Sequence, residues 1–244
     1  MFSLYKKELQ GYFFSPIAYV FIGLVTLIFS GFFVWWIYTA ASTQIEFSFS
    51  YFFYYNILFT TILLIPILTM RAFAEERKNG TEVLLLSSPL SVSKIVIAKF
   101  LAVATVLVIA MVISFIYPII ASIHGYVVMP NLIASYIGYL LYGLAYIALG
   151  LLVSSFVATP GLAMLLSVAV SLILFFMELM LGSSYIASIP VISDVLYWFS
   201  NQAKFENFTQ GFCQLSDLVS YATEIAVFLL WTIISIEKRR FSRS

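Results

Sequence analysis

Charged residues make up only 9% of this 244-residue chain, against roughly 25% in a soluble domain, so water is excluded as the solvent of most of its surface. Cysteine is limited to Cys213 and histidine to His124, which excludes an intrachain disulfide and any paired Cys/His spacing for zinc. No glycine is followed by lysine anywhere, so no GxxxxGK(S/T) loop can cradle nucleotide phosphates. A net charge of +1 gives no general attraction to nucleic acid. The sequence therefore offers no catalytic, cofactor-binding or metal-binding set, and no nucleic-acid partner is expected.

What it does have is long apolar runs. Six of them, 17–40, 52–70, 95–123, 133–157, 161–181 and 218–236, reach the length of about 20 residues that one helical crossing of a bilayer needs. They are apolar all round, whereas a barrel strand alternates polar and apolar over about ten residues, so the pattern predicts an all-α integral membrane protein. The first run follows Lys6 and Lys7 but is too long for a cleavable signal peptide and reads as an uncleaved span. Lys6 and Lys7, then Arg71, Arg77, Lys78, Lys94 and Lys99, then Lys238, Arg239, Arg240 and Arg243 all fall on one side, and Lys204 alone falls opposite. Positive-inside bias then predicts both termini and the 72–94 loop in the cytoplasm of a multi-pass cell (inner) membrane protein.

Three segments between or before the spans carry more information than a loop needs. Residues 2–14 place Tyr5, Leu9, Tyr12 and Phe13 on one side of a helical wheel and Lys7, Gln10 and Gly11 on the other, the pattern of a helix lying in the headgroup layer over residues 1–15. In 72–99, span two is expected to run on through Glu75, Glu76, Arg77 and Lys78 until Asn79-Gly80 ends it. Thr81 and Glu82 then start a short helix that Pro89 stops, with Leu84, Leu85 and Leu86 exposed on it, and Ser91 or Ser93 caps span three while Lys94 and Lys99 anchor its cytoplasmic end. Exposed leucines there either dip into lipid or fill another protein's groove. The connection 182–217 is too apolar for free solvent and is expected to dip back into the outer leaflet as short half-helices. Its Asn207-Phe208-Thr209 matches a glycosylation sequon, as does Asn79-Gly80-Thr81, the second on the side expected to be cytoplasmic, and both are discounted.

The stretch ERKNGTEVLLLSSPLSVSKIVIAK, 76–99, resembles the E-(R/K)-x-x-G-T-x-E-x-L-L-x-(S/T)-P-(L/V) loop of type 2 ABC transporter permeases, departing from it in the shorter step from Gly80-Thr81 to Glu82. The ending 205–241 is similar to that of the family's shorter members, including gliding-motility and copper-maturation permeases, through Phe205, Phe208, Gly211, Asp217, Tyr221, Leu229, Thr232, Glu237, Arg239 and Arg240. The gliding-motility permease subunit is the nearest resemblance. It implies an exporter that takes its energy from a separate ABC-type ATPase, present in two copies, and that pairs with a second permease copy or a related one. It also implies a coupling helix around Glu76, Arg77, Gly80, Thr81, Glu82, Leu84–Leu86 and Pro89 that docks on the ATPase, with the N-terminal helix leaning on the same subunit.

Two carboxylates fall inside spans. Glu178 lies near the outer end of span five, where snorkelling is cheap, and is either a boundary residue or part of a pathway, while Glu224 lies about six residues into span six and is either a pathway residue or an interhelical hydrogen-bond partner. Pro66 and Pro118 are expected to kink spans two and three, and His124 reads as a loop residue. A membrane anchor without transport and a polytopic membrane enzyme are the competing functions, the enzyme disfavoured by the scarcity of polar groups in the spans.

Overall fold

The computed structural model describes residues 1–43, 49–83, 90–124, 127–181, 197 and 200–242. Every regular element among them is helical. Six helices are long and apolar enough to cross a membrane, at Pro16–Thr43, Phe52–Lys78, Val92–Ile123, Met129–Phe156, Pro160–Met177 and Leu215–Arg240, and each overlaps one of the runs read from the sequence.

Helix α1 (Phe2–Phe14) precedes α2 (Pro16–Thr43), the first span. Ser15 is extended between them, as the residue before a proline must be. Leu4 and Tyr12 of α1 are buried, and Tyr5, Leu9 and Phe13 pack against the same core, while Lys6, Lys7 and Gln10 are exposed. The wheel drawn from the sequence is thus the face that α1 lays on its neighbours.

The second span consists of α3 (Phe49–Phe59), a π-helical turn (Thr60–Leu64) and α4 (Ile65–Thr69). The cause is Pro66, which has no N–H for the carbonyl one turn back and whose ring crowds that carbonyl. The chain widens instead, and Ile65 N–H bonds to Thr60 O. Span two does not run on smoothly into its polar extension, as the sequence suggests. A turn over Met70–Phe73 separates α4 from α5 (Ala74–Lys78), because the amides of Phe73 and Ala74 both donate to Ser154 Oγ at 3.2 Å.

The third span is α6 (Val92–Ser114) followed by α7 (Ile116–His124), broken at Phe115 just ahead of Pro118. Ser91 is the N-cap of α6, but its hydroxyl accepts no capping bond. The remaining elements are α8 (Met129–Phe156), α9 (Pro160–Leu181), the short α10 (Asn201–Thr209) and α11 (Leu215–Ser242).

Helix α8 is the hub, packed against α3, α4, α6, α9, α10 and α11. Lipid tails drive no helix association of their own, so close backbone approach has to supply the packing, and small residues permit it. A Cβ on Gly138 would lie 2.7 Å from Phe208 Cβ, one on Gly143 would lie 2.5 Å from Leu107 Cδ2, and one on Gly150 would collide with the Thr69 side chain. Three glycines thus admit three different neighbours, α10, α6 and α4. Phe29 of α2 sits edge-on to Phe52 and Tyr139 at 5.3 and 5.7 Å, closing the aromatic core near α3 and α7. Two hydroxyl pairs inside the bundle bridge helices, Tyr139 donating to Thr60 Oγ1 at 2.9 Å and Ser114 with Tyr136 at 3.1 Å.

Candidate coupling site at the charged end of the bundle

Lys99 belongs to the second turn of α6, where an ammonium has few water molecules to hold it, and its side chain is 2% exposed. A charge so placed persists only if paired. Lys99 Nζ donates to Glu8 Oε2 of α1 at 3.1 Å and to Glu76 Oε1 of α5 at 2.8 Å, and lies 5.3 Å from the centre of the Phe73 ring. One buried cation therefore ties three elements that are distant in sequence. Tyr12 adds a second tie from α1, donating to Leu68 O at 3.0 Å. Burial pushes its phenol above the ordinary tyrosine range, which keeps the donor protonated.

A second cluster holds the segment after α5. Arg77 donates from Nη1 to Val157 O and from Nη2 to Ser155 O, both at 2.7 Å, capping the carbonyl end of α8. Its Nη2 also reaches Glu82 Oε1 at 3.3 Å, and Arg239 of α11 approaches the same carboxylate at 3.6 Å. Arg71 and Glu75 form a bidentate pair four residues apart. Between the two clusters α5 ends in a full left-handed cap. Gly80 has φ +71°, Gly80 N–H bonds to Arg77 O, and Thr81 N–H bonds back to Glu76 O at 2.9 Å. On the far side of the connector, Arg240 donates to Leu90 O at 3.4 Å. Beside the Lys99 cluster lies a cleft of about 380 Å³, lined by Lys7, Glu8, Tyr12, Arg71, Glu75 and Glu76 among others.

Of the residues singled out in the sequence, Glu76, Arg77, Gly80, Thr81 and Glu82 come together here with Tyr12, and all three charged members are engaged within the chain. Glu82 and Val83 are helical; Leu84, Leu85, Leu86 and Pro89 lie outside the described residues. Tyr5 bonds to Thr105 of α6 at 2.9 Å, and Leu9 and Phe13 pack on the core beside it. Lys99, read from the sequence as an anchor of the cytoplasmic end of span three, is a buried bridge, with α6 beginning seven residues before it. Sequence reasoning missed Glu8 as its partner. The usable signal was a lysine inside an apolar run, which demands a counter-charge.

The two in-span carboxylates fall elsewhere. Glu178 belongs to α9, and its side chain lies outside the described residues. Glu224 is 2% exposed and accepts from Asn201 Nδ2 of α10 at 2.9 Å, so it is at least an interhelical hydrogen-bond partner. Among the described residues no group of three or more His, Cys, Asp or Glu is placed to hold a metal ion.

No curated protein matches the chain. The family described as ABC-2 family transporter protein matches residues 37–236, which take in the last part of α2, the second to fifth spans, most of the sixth and the residues Glu76, Arg77 and Glu82. With six membrane-spanning helices and a match over most of its length, the chain belongs to the ABC-2 transporter family, as a multi-pass membrane component.

Proposed function

We propose that this chain is the membrane-spanning permease subunit of an exporter driven by a separate ABC-type ATPase, with the 84–89 connector as the point where the ATPase pushes. The observation that carries the reading is the buried ionic frame. The connector is flanked by segments fixed to four helices, through Lys99 to α1 and α6, through Arg77 to the end of α8, and through Arg239 and Arg240 to α11. A loop that merely joined two spans would need none of this. A loop that transmits force needs its ends tied to the elements that move.

In this reading Glu76, Arg77 and Glu82 hold the connector in place, while Leu84, Leu85 and Leu86 fill the groove on the ATPase and Gly80, Thr81 and Pro89 set its ends. The face of α1 with Lys6, Lys7 and Gln10 leans on the same subunit. Eleven of the twelve basic residues lie at this end of the spans, which supports a cytoplasmic location for it and for both termini in a cell (inner) membrane. Two ATPase copies acting on two permease halves, this chain and a second copy or a relative, complete the transporter. What supports a gliding-motility system is the resemblance of the 205–241 ending.

The test is purification from native membranes in mild detergent with identification of co-purifying proteins, for the wild type and for Leu85→Asp. An ABC-type ATPase that accompanies the wild type and is lost from a folded Leu85→Asp chain is the expected result. If no ATPase accompanies the wild type in any of several detergents, the chain is an anchor without a motor and the reading fails. Leu85→Asp is a cleaner probe than Glu82→Ala, which would also strip Arg77 and Arg239 of their shared carboxylate.

A further inference from the structure

At the opposite end from the ionic frame, α10 packs on α8 and α3 and is tied to α11 by side-chain hydrogen bonds, with polar groups on its inner side. Asn201, Lys204, Tyr221 and Glu224 are each no more than 2% exposed. Tyr221 donates to Asn201 O at 2.7 Å, Lys204 Nζ lies 5.6 Å from the centre of the Tyr221 ring, and Asn201 Nδ2 donates to Glu224 Oε1 at 2.9 Å. Among the described residues, two buried atoms of this group have no hydrogen-bond partner, Glu224 Oε2 and Asn201 Oδ1. They are the other halves of the very carboxyl and amide that already share one bond.

An ionised carboxylate has no hydrogen to offer and cannot satisfy an amide oxygen, so as a carboxylate Glu224 leaves both atoms without a partner among the described residues. A single proton on Oε2 changes both at once. A carboxylic acid facing a primary amide makes a closed ring of two hydrogen bonds, amide N–H to carbonyl oxygen and acid O–H to amide oxygen. We propose that Glu224 is a proton-binding site, and that in its protonated form it pairs with Asn201 as an acid–amide ring which fastens α10 to the sixth span. The charged group that faces it among the described residues is Lys204 of α10. The titratable groups beside it are Tyr221 of its own helix and Tyr142 of α8, whose ring lies 6.5 Å from that of Tyr221. Lys204 does not supply the missing bond to Oε2. Loss of the proton would leave an ionised, incompletely bonded carboxylate under α10 and so loosen the helix, making the pair a proton-dependent fastener.

The test has two readouts on the full chain in lipid nanodiscs. Infrared spectra at pH 7 should show a carboxylic-acid C=O stretch in the wild type that is missing in Glu224→Gln; if the two spectra match in that region, Glu224 is ionised and the proposal is overturned. Hydrogen exchange of residues 201–209, corrected for the intrinsic rate, should quicken with rising pH in the wild type, by up to about tenfold per pH unit. Glu224→Gln keeps a donor for Asn201 Oδ1 and should hold α10 equally well at every pH, which also guards against a variant that fails to fold. Asn201→Leu should expose α10 to exchange without pH dependence. An α10 whose exchange is flat with pH in the wild type refutes the fastener even if the infrared band is present.

Discussion

Replacing Lys99 by methionine isolates the contribution of the ionic frame. Methionine keeps most of the volume of the lysine stem, so packing against Phe73 survives and the ammonium alone is lost. Glu8 and Glu76, whose side chains are 14% and 18% exposed, are then left as two facing carboxylates with no cation between them. Removing one partner of a buried pair costs about 3–5 kcal/mol. The partial exposure of both acids argues for the lower end, about 3 kcal/mol, or a little over a hundredfold in the equilibrium that holds α1 on the bundle. Hydrogen exchange of residues 2–14 in nanodiscs reads that equilibrium directly, with residues 135–150 of α8 as an internal reference that should not change. The chain carrying Lys99→Met with Glu8→Gln and Glu76→Gln should recover most of the loss, because a neutral set of similar volume pays no desolvation of charge. If Lys99→Met leaves the exchange of α1 unchanged, or if the triple variant is no better than the single, the lysine is not what binds α1 to α5 and α6.

Gly138→Ala should push α10 away, since the new methyl would lie 2.7 Å from Phe208 Cβ; overpacking of about 1–3 kcal/mol should appear as faster exchange confined to residues 201–209. Gly150→Ala meets the branched side chain of Thr69, so a similar loss should appear in α4 and the end of α8, read as a lower thermal midpoint, while Gly161→Ala, with nothing within 4 Å, should be silent. Tyr12 is neutral in the folded chain and its phenol is held above the ordinary range by burial. Its contribution is therefore complete below about pH 10 and lost as pH rises beyond that, so the wild type should lose more stability between pH 8 and 11 than Tyr12→Phe, and equal losses would refute the assignment. Cys213 is the chain's single cysteine and is exposed, so a membrane-impermeant maleimide should label it in intact cells; labelling only after lysis would invert the proposed orientation.

The spans were legible in the sequence because their signal is additive. Some twenty apolar residues in a row exceed any ambiguity of local propensity, and the six runs reappear as six helices with ends shifted by a few residues. Gly80 was legible for a related reason, since Asn-Gly after a run of charges points to one backbone state, and φ +71° is that state. The turn at Met70–Phe73 was not, because it depends on Ser154, eighty residues away, presenting one hydroxyl to two amides. The candidate site shows the same division. The loop that contains Glu76, Arg77 and Glu82 could be found from its local pattern, but their partners Lys99, Val157 and Arg239 come from α6, the C-cap of α8 and α11. Glu8 sat in plain view on α1 and drew no attention, since a glutamate in an amphipathic helix ordinarily faces water.

The distribution of breaks among the spans bears on how such a chain could move. Span two has a π-helical turn above Pro66 and a further turn at Met70–Phe73, and span three is broken at Phe115, whereas α8 runs from Met129 to Phe156 without interruption. At 1.5 Å per residue α8 is about 42 Å long, enough to cross the whole hydrocarbon core. Its carbonyl end is gripped by Arg77 and its Ser154 by the amides after span two, while Gly138, nearer its other end, seats Phe208 of α10. A displacement of α5 therefore has two routes. Along span two it meets the π-helical turn at Thr60–Leu64, a break in the regular hydrogen-bond ladder of the kind at which helices kink. Along α8 it meets no break between Ser154 and Gly138, which seats Phe208 of α10. The stiff route joins the ionic frame at one end to the Asn201–Glu224 pair at the other, and the compliant route lets the frame move without dragging the aromatic core around Phe29 with it.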